Sequence, residues 1–252
     1  MHRASRCVSA LGMITIATSG LIACGGGSDF NVAQVAGVGA ISKATLEHWM
    51  PIEARLLYSE VPTRPTPRGA VPDPPTYTAC IAYLKMTPQK IGERLGKAST
   101  NELKSRCARK QQELKVLTLN TLIGWDWTIG RGLRAGMKIT DAEARSRVQS
   151  LKKGDFADVN FARYLKYSGQ TSSDMLLRAK VQLVEKNLSQ GLTAADSSRP
   201  GKLTGPQQIA LAAAAATLLT NKQWAERTTC RSGYVTSSCK QYKGSLPPGT
   251  PN

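Results

Sequence analysis

Histidine is the side chain most suited to moving protons or holding a metal near neutral pH, and this chain of 252 residues has two, His2 and His48. His2 lies in a segment that reads as a removable leader, so the body of the protein carries one imidazole. That excludes multi-histidine metal sites and the paired-histidine site of a parvulin. A Ser-His-Asp arrangement remains only through His48, with no G-x-S-x-G turn to present the serine. His48 stands beside Trp49 on a helical pattern and reads as partly packed structure. Ser150–Lys153 and Ser237–Lys240 fit S-x-x-K, a match expected by chance among this many serines and lysines, and no K-T-G accompanies them. Gly130-Arg131-Gly132-Leu133-Arg134-Ala135 fits a loose G-x-G-x-x-A pattern. It closes a helix instead of following a strand and opening one, so the phosphate-cradling context is missing. No catalytic residue, resident metal or cofactor is expected.

Six cysteines are present. Residues 1–23 read as a bacterial lipoprotein signal: His2, Arg3 and Arg6 precede an uncharged apolar or small stretch from Val8 to Ile22, too short for a span of about 20 residues. Leu21-Ile22-Ala23-Cys24 resembles the lipobox, whose cysteine takes a diacylglyceryl thioether and becomes the new N-terminus. Residues 24–31 then read as a lipid-anchored glycine-rich tether. The alternative is an ordinary secretory signal with a chance cysteine. The anchored reading places the domain at the extracytoplasmic face of the bacterial cell membrane. In that oxidising compartment the remaining Cys80, Cys107, Cys230 and Cys239 suit two disulfides. Of the three pairings, the sequence-local Cys80–Cys107 and Cys230–Cys239 is preferred. A zinc site is disfavoured by the lack of C-x-x-C and of further imidazoles.

The elements that must position these residues are mostly helical. Residues 32–35 alternate weakly, as a short strand. Ser42 reads as the N-cap of a helix from Lys43, with Leu46, Trp49 and Met50 on one face. Pro51 is expected to kink or break it, and Ile52, Leu56 and Leu57 continue its period. Residues 61–75 hold six of the 13 prolines and read as an extended linker. Residues 80–85 look helical, and residues 100–135 carry a long helical pattern with Leu114, Leu117, Leu122, Trp125, Ile129 and Leu133 as its stripe. Gly136 supplies its stop. Between Lys85 and Lys115, nine Lys or Arg residues against three acids read as a solvated basic face rather than a dedicated polyanion site.

Thr140-Asp141-Ala142-Glu143 is a capping box, followed by a stripe of Ala144, Val148 and Leu151. Residues 156–167 read as a short helix ended by Gly169. Ser172 or Ser173 is expected to cap the next, which carries Leu177, Val181, Val184 and Leu188. Residues 191–206 read as a loop, 207–227 as an alanine-rich helix with Trp224, 230–239 as a disulfide-closed turn around Ser232-Gly233, and 244–252 as a disordered tail. Within Trp125-Asp126-Trp127, Trp125 lies on the stripe. Trp127 falls about 200° away on the helix wheel, either exposed and available to an unfolded peptide or packed against another helix. Trp49, Trp125 and Trp127 are the candidate peptide-binding residues.

The order of these pieces resembles the N-terminal helical domain of SurA- and PrsA-type foldases. The short strand followed by Ile41-Ser42-Lys43 is similar to that domain's start. Leu122-Ile123 in a long helix, then Gly136-Met137-Lys138-Ile139-Thr140-Asp141-Ala142-Glu143, resembles the family's Gly-apolar-x-Val/Ile-Ser/Thr-Asp-x-Glu segment. Phe161, Leu165, Gly169, Thr171 and Asp174 resemble its F-x3-L-x3-G-x-T-x2-(D/E) pattern. The resemblance covers about residues 32–192 and implies a domain that cradles unfolded secreted proteins. In the family a parvulin domain commonly follows. Residues 193–252 contain no histidine and are too few for one. The proline-rich insert and Gly130-Arg131, where relatives often have an acid, are further departures.

The reading is therefore a mainly α protein: a SurA/PrsA-like helical domain over 32–228 with one short N-terminal strand and a C-terminal helix packing back on it, then a disulfide-closed turn and tail over 229–252. Its expected function is that of a membrane-anchored chaperone without its own isomerase domain. The alternatives are a peptidyl-prolyl isomerase, or a basic module for anionic wall polymer or membrane. Expected partners are unfolded or nascent secreted proteins, the membrane through the Cys24 lipid, and anionic lipid or wall polymer. The formal net charge of +17, to which Arg3 and Arg6 contribute two, favours anionic partners. A secreted chain makes nucleic acid a poor partner.

Overall fold

The computed structural model describes residues 30–59, 62, 64–86, 98–154, 156, 157, 159–197 and 221–244. The expected leader, Cys24, residues 25–29, most of the alanine-rich helix and the tail from 245 lie outside them. In chain order the elements are β1 (Asn31–Val35), β2 (Gly39–Ser42), α1 (Lys43–Tyr58), α2 (Thr78–Met86), α3 (Thr100–Arg134), α4 (Asp141–Lys153), α5 (Phe161–Ser168), α6 (Ser172–Ser197) and β3 (Thr228–Cys230). The described chain is mainly helical, with a short strand hairpin at its N-terminal end.

One N-terminal strand was expected; the sheet has three, in the order β2-β1-β3, all antiparallel. Asn31, placed in the tether by sequence, already pairs with Ser42. The third strand comes from the segment leading into the expected C-terminal turn, where Ala33 pairs with Cys230 and Val35 with Thr228. Residues 221–226 are helical and bring Trp224 back against the N-terminal half. Three residues of β3 carry no pattern of their own; β1's free edge selects them.

Local chemistry sets most helix starts. The Ser42 hydroxyl accepts from Thr45 N at 3.0 Å, opening α1. Ser99–Glu102 and Thr140–Glu143 are reciprocal capping boxes for α3 and α4. For α6 the cap is Thr171, one residue before the expected serines: Thr171 N and Oγ1 donate to Asp174 Oδ2 at 2.7 and 2.8 Å. α5 starts at Phe161, later than expected, because Asn160 caps it by accepting from Arg163 N. α6 runs on to Ser197, through the beginning of the expected loop. Pro51 lies inside α1 without ending it. Met50 and Ile52, both buried, hold the two halves against one core, which outweighs the lost hydrogen bond at Pro51.

Two cores form. The first joins the sheet, α1, α3 and Trp224, with Val32, Val35, Ile41, Leu46, Ile52, Leu119 and Ile123 deeply buried. The second lies between α4, α5 and α6 around Ala144, Tyr164, Met175 and Ala179, and Leu56 of α1 packs against both. α3, at 35 residues about 52 Å long, is the shared spine.

The described part of the proline-rich segment, residue 62 and residues 64–75, is non-helical, as expected, and packs on the body of the protein. Pro62 is fully buried and Ala70 nearly so. Lys110 of α3 donates through Nζ to Ala70 O at 3.0 Å. Gly69 has φ +86°, and a Cβ there would run into the Ala79 carbonyl, so only glycine fits the bend. Asp73 accepts from Ala79 N and Cys80 N at 2.8 and 2.9 Å, tying the segment to the start of α2. Proline supplies stiffness here, and burial with carbonyl and carboxylate anchors turns a stiff segment into a strap. The Cys80–Cys107 disulfide then joins α2 to α3, and Cys230–Cys239 closes the C-terminal knob, as the sequence-local pairing predicted.

Candidate functional site

The strap, α1 and α3 enclose an open groove of about 460 Å³. α1 contributes Ala54, Leu57 and Tyr58 from its last turn, the strap Ala70 and Pro72, and α3 Lys110, Glu113, Leu114 and Leu117. Leu57 is 66% exposed, Tyr58 53% and Leu117 41%; these are three of the six large apolar side chains that the described surface leaves in water. Three such side chains converging on one groove, with one ammonium and one carboxylate at its wall, suit an extended apolar segment. The strap holds its wall through Lys110, so that lysine is engaged in building the groove.

The predicted tryptophans lie elsewhere. Trp49 is buried and meets the half-buried Trp125 edge to face, 4.8 Å between centroids. The Arg178 guanidinium lies 5.4 Å from both ring centroids and donates to Glu53 at 2.9 Å. Trp127, expected to be either exposed or packed, is buried: its Nε1 donates to Thr228 Oγ1 at 2.8 Å, and that hydroxyl donates to Trp224 O at 2.8 Å. α3 has the sheet and Trp224 on one side and α1 with α6 on the other, so the residue 200° from the stripe meets a second layer instead of water. None of the three tryptophans lines the groove.

His48 Nε2 donates to both oxygens of Asp174, at 3.0 and 3.1 Å. Asp174 also receives the Thr171 amide and hydroxyl, so the pair fastens α1 to the start of α6. Among the described residues no group of three His, Cys, Asp or Glu side chains could hold a metal.

The glycines of the loose dinucleotide pattern have a packing role. A Cβ on Gly130 would fall 2.5 Å from the Trp224 ring, and one on Gly132 2.7 Å from a Val184 methyl. Sequence reasoning missed the groove residues. Leu57 falls on the same face as Leu46, eleven positions on, and Leu117 belongs to the stripe of α3. Periodicity identifies the apolar face; it does not say where the covering partner ends.

No protein-family model matches the chain, and neither a curated protein nor a solved structure shows significant similarity to it.

Proposed function

We propose that the protein reversibly captures exposed apolar segments of unfolded secreted polypeptides, without covalent chemistry, as a chaperone held at the extracytoplasmic face of a bacterial membrane by a lipid on Cys24. The observation that carries the reading is the groove, with Leu57, Tyr58 and Leu117 left in water around it. A monomeric soluble surface rarely gathers large apolar side chains in one concave place without an occupant. The resemblance of residues 32–192 to the SurA/PrsA-type helical domain, the lipobox-like Leu21-Ile22-Ala23-Cys24 and two disulfides suited to an oxidising compartment support the same assignment.

The test is aggregation suppression on a chemically unfolded secreted protein, run beside a prolyl isomerisation assay. The wild-type chain is expected to suppress aggregation near stoichiometric ratio. Leu57→Ser/Leu117→Ser is expected to lose most of that effect while staying folded at the assay temperature, since Leu57 is 66% and Leu117 41% exposed. Equal suppression by the variant removes the groove from the function. No suppression by the wild type removes the chaperone, and isomerisation by the wild type moves the reading to the foldase.

A further inference from the structure

The C-terminal knob closed by Cys230–Cys239 has a composition that the groove does not use. Between Thr228 and Gly244 stand Arg231, Lys240 and Lys243, all exposed, and no acid; the nearest acid in sequence is Glu226. Lys115 of α3 joins them, donating to Gly233 O at 3.0 Å with its ammonium 4.8 Å from the Tyr234 ring centroid. Val235 of the same segment is exposed, and its Tyr234 and Tyr242 are half-buried. A short disulfide-closed segment that combines exposed cations, an exposed aliphatic side chain and tyrosines has the composition of a bilayer-interface surface.

The chain enters the fold at this same surface. Phe30, the first described residue, packs edge to face on Tyr234 at 6.1 Å and lies under the Arg231 guanidinium at 4.0 Å. Arg231 N donates to Val32 O at 2.9 Å, fixing the knob to β1. Six residue steps separate Cys24 from Phe30, a reach of at most about 20 Å. A lipid on Cys24 therefore holds Phe30, and the knob packed on it, within about two Debye lengths of the headgroups.

We propose that the knob is the surface that seats the molecule on anionic phospholipid, with Arg231, Lys240 and Lys243 on the headgroup phosphates and Val235 in contact with the bilayer. The proposal rests on the anchored reading of Cys24. Lys43 N donates to Phe30 O, so α1 starts at the knob's edge, and Lys115, between the groove residues Leu114 and Leu117 of α3, reaches the knob at Gly233.

The test uses the full chain with Cys24→Ser, which cannot take lipid, and vesicles of phosphatidylcholine alone or mixed with phosphatidylglycerol. Arg231→Gln/Lys240→Gln/Lys243→Gln is expected to reduce the preference for anionic vesicles by about tenfold or more. Lys153→Gln/Arg163→Gln/Lys166→Gln, the same charge removed from α4 and α5, is expected to leave it. Lys240→Gln/Lys243→Gln keeps the Arg231–Phe30 stack and covers the case in which the triple variant misfolds; it is expected to lose a smaller share. Equal loss in both triple variants assigns the effect to bulk charge and overturns the proposal. So does unchanged preference in the knob variant, or binding to soluble polyglycerol phosphate without any preference for anionic vesicles. The mass of the natural chain is read separately. A missing lipid at Cys24 overturns the anchor, while the vesicle result still decides the knob.

Discussion

Trp127 and Asp126 are neighbours on α3 with opposite fates. Trp127 sits in a closed relay with Thr228 and Trp224, so Trp127→Ala removes a buried ring and leaves the Thr228 hydroxyl without its donor. A loss of about 3–5 kcal/mol is expected in urea unfolding, with Trp127→Phe losing less. A tryptophan available to clients would instead change capture and leave stability alone. Asp126 is half-buried, and burial pushes its carboxyl up to about 6. The fold holds this proton more tightly than the unfolded chain does, so stability falls as pH rises from about 4 to about 6 and is level above that, by up to about 3 kcal/mol. Asp126→Asn is expected to flatten that slope and stabilise the protein at neutral pH. Melting temperatures of both chains across pH 4–7 check it; parallel profiles would mean that Asp126 is well hydrated.

At the scale of elements, the close approach of α3 and α6 depends on Gly132. Alanine there gains helix propensity of up to about 1 kcal/mol and meets Val184 at a distance no Cβ tolerates. A net loss of about 1–2 kcal/mol is expected for Gly132→Ala, with Val184→Ala restoring part of it in the double variant; additive losses in that cycle would show that the two sites do not touch. What could be read in advance follows from the same distinction. The Ser42 cap, the Thr140–Glu143 box and the stripe of Ala144, Val148 and Leu151 depend on residues within one turn, so the sequence states them. The Thr171 cap was displaced by one residue because Asp174 three positions on completes the box. β3, the strap and the burial of Trp127 depend on what packs from far away in the chain. The groove depends on where covering elements stop, which composition and periodicity leave open; its residues were visible only as members of apolar stripes.

The whole molecule is joined at two points that differ in consequence. Cys80–Cys107 closes 27 positions of chain and Cys230–Cys239 nine; in the chain-entropy account these contribute about 3–4 and about 2–3 kcal/mol. The larger bridge holds α2, and through Asp73 the strap, against α3, which makes it a wall of the groove. The smaller one shapes the knob and leaves the groove untouched. Cys80→Ser/Cys107→Ser is therefore expected to lower stability by the larger amount and to weaken client capture well below the melting temperature, as Ala70 and Pro72 leave the wall. Cys230→Ser/Cys239→Ser is expected to lower stability by the smaller amount and to keep capture. Denaturant unfolding and aggregation suppression measured on both variants separate these effects. Capture lost equally in both would place the client surface across the whole body of the protein, and capture kept in both would free the groove from its strap.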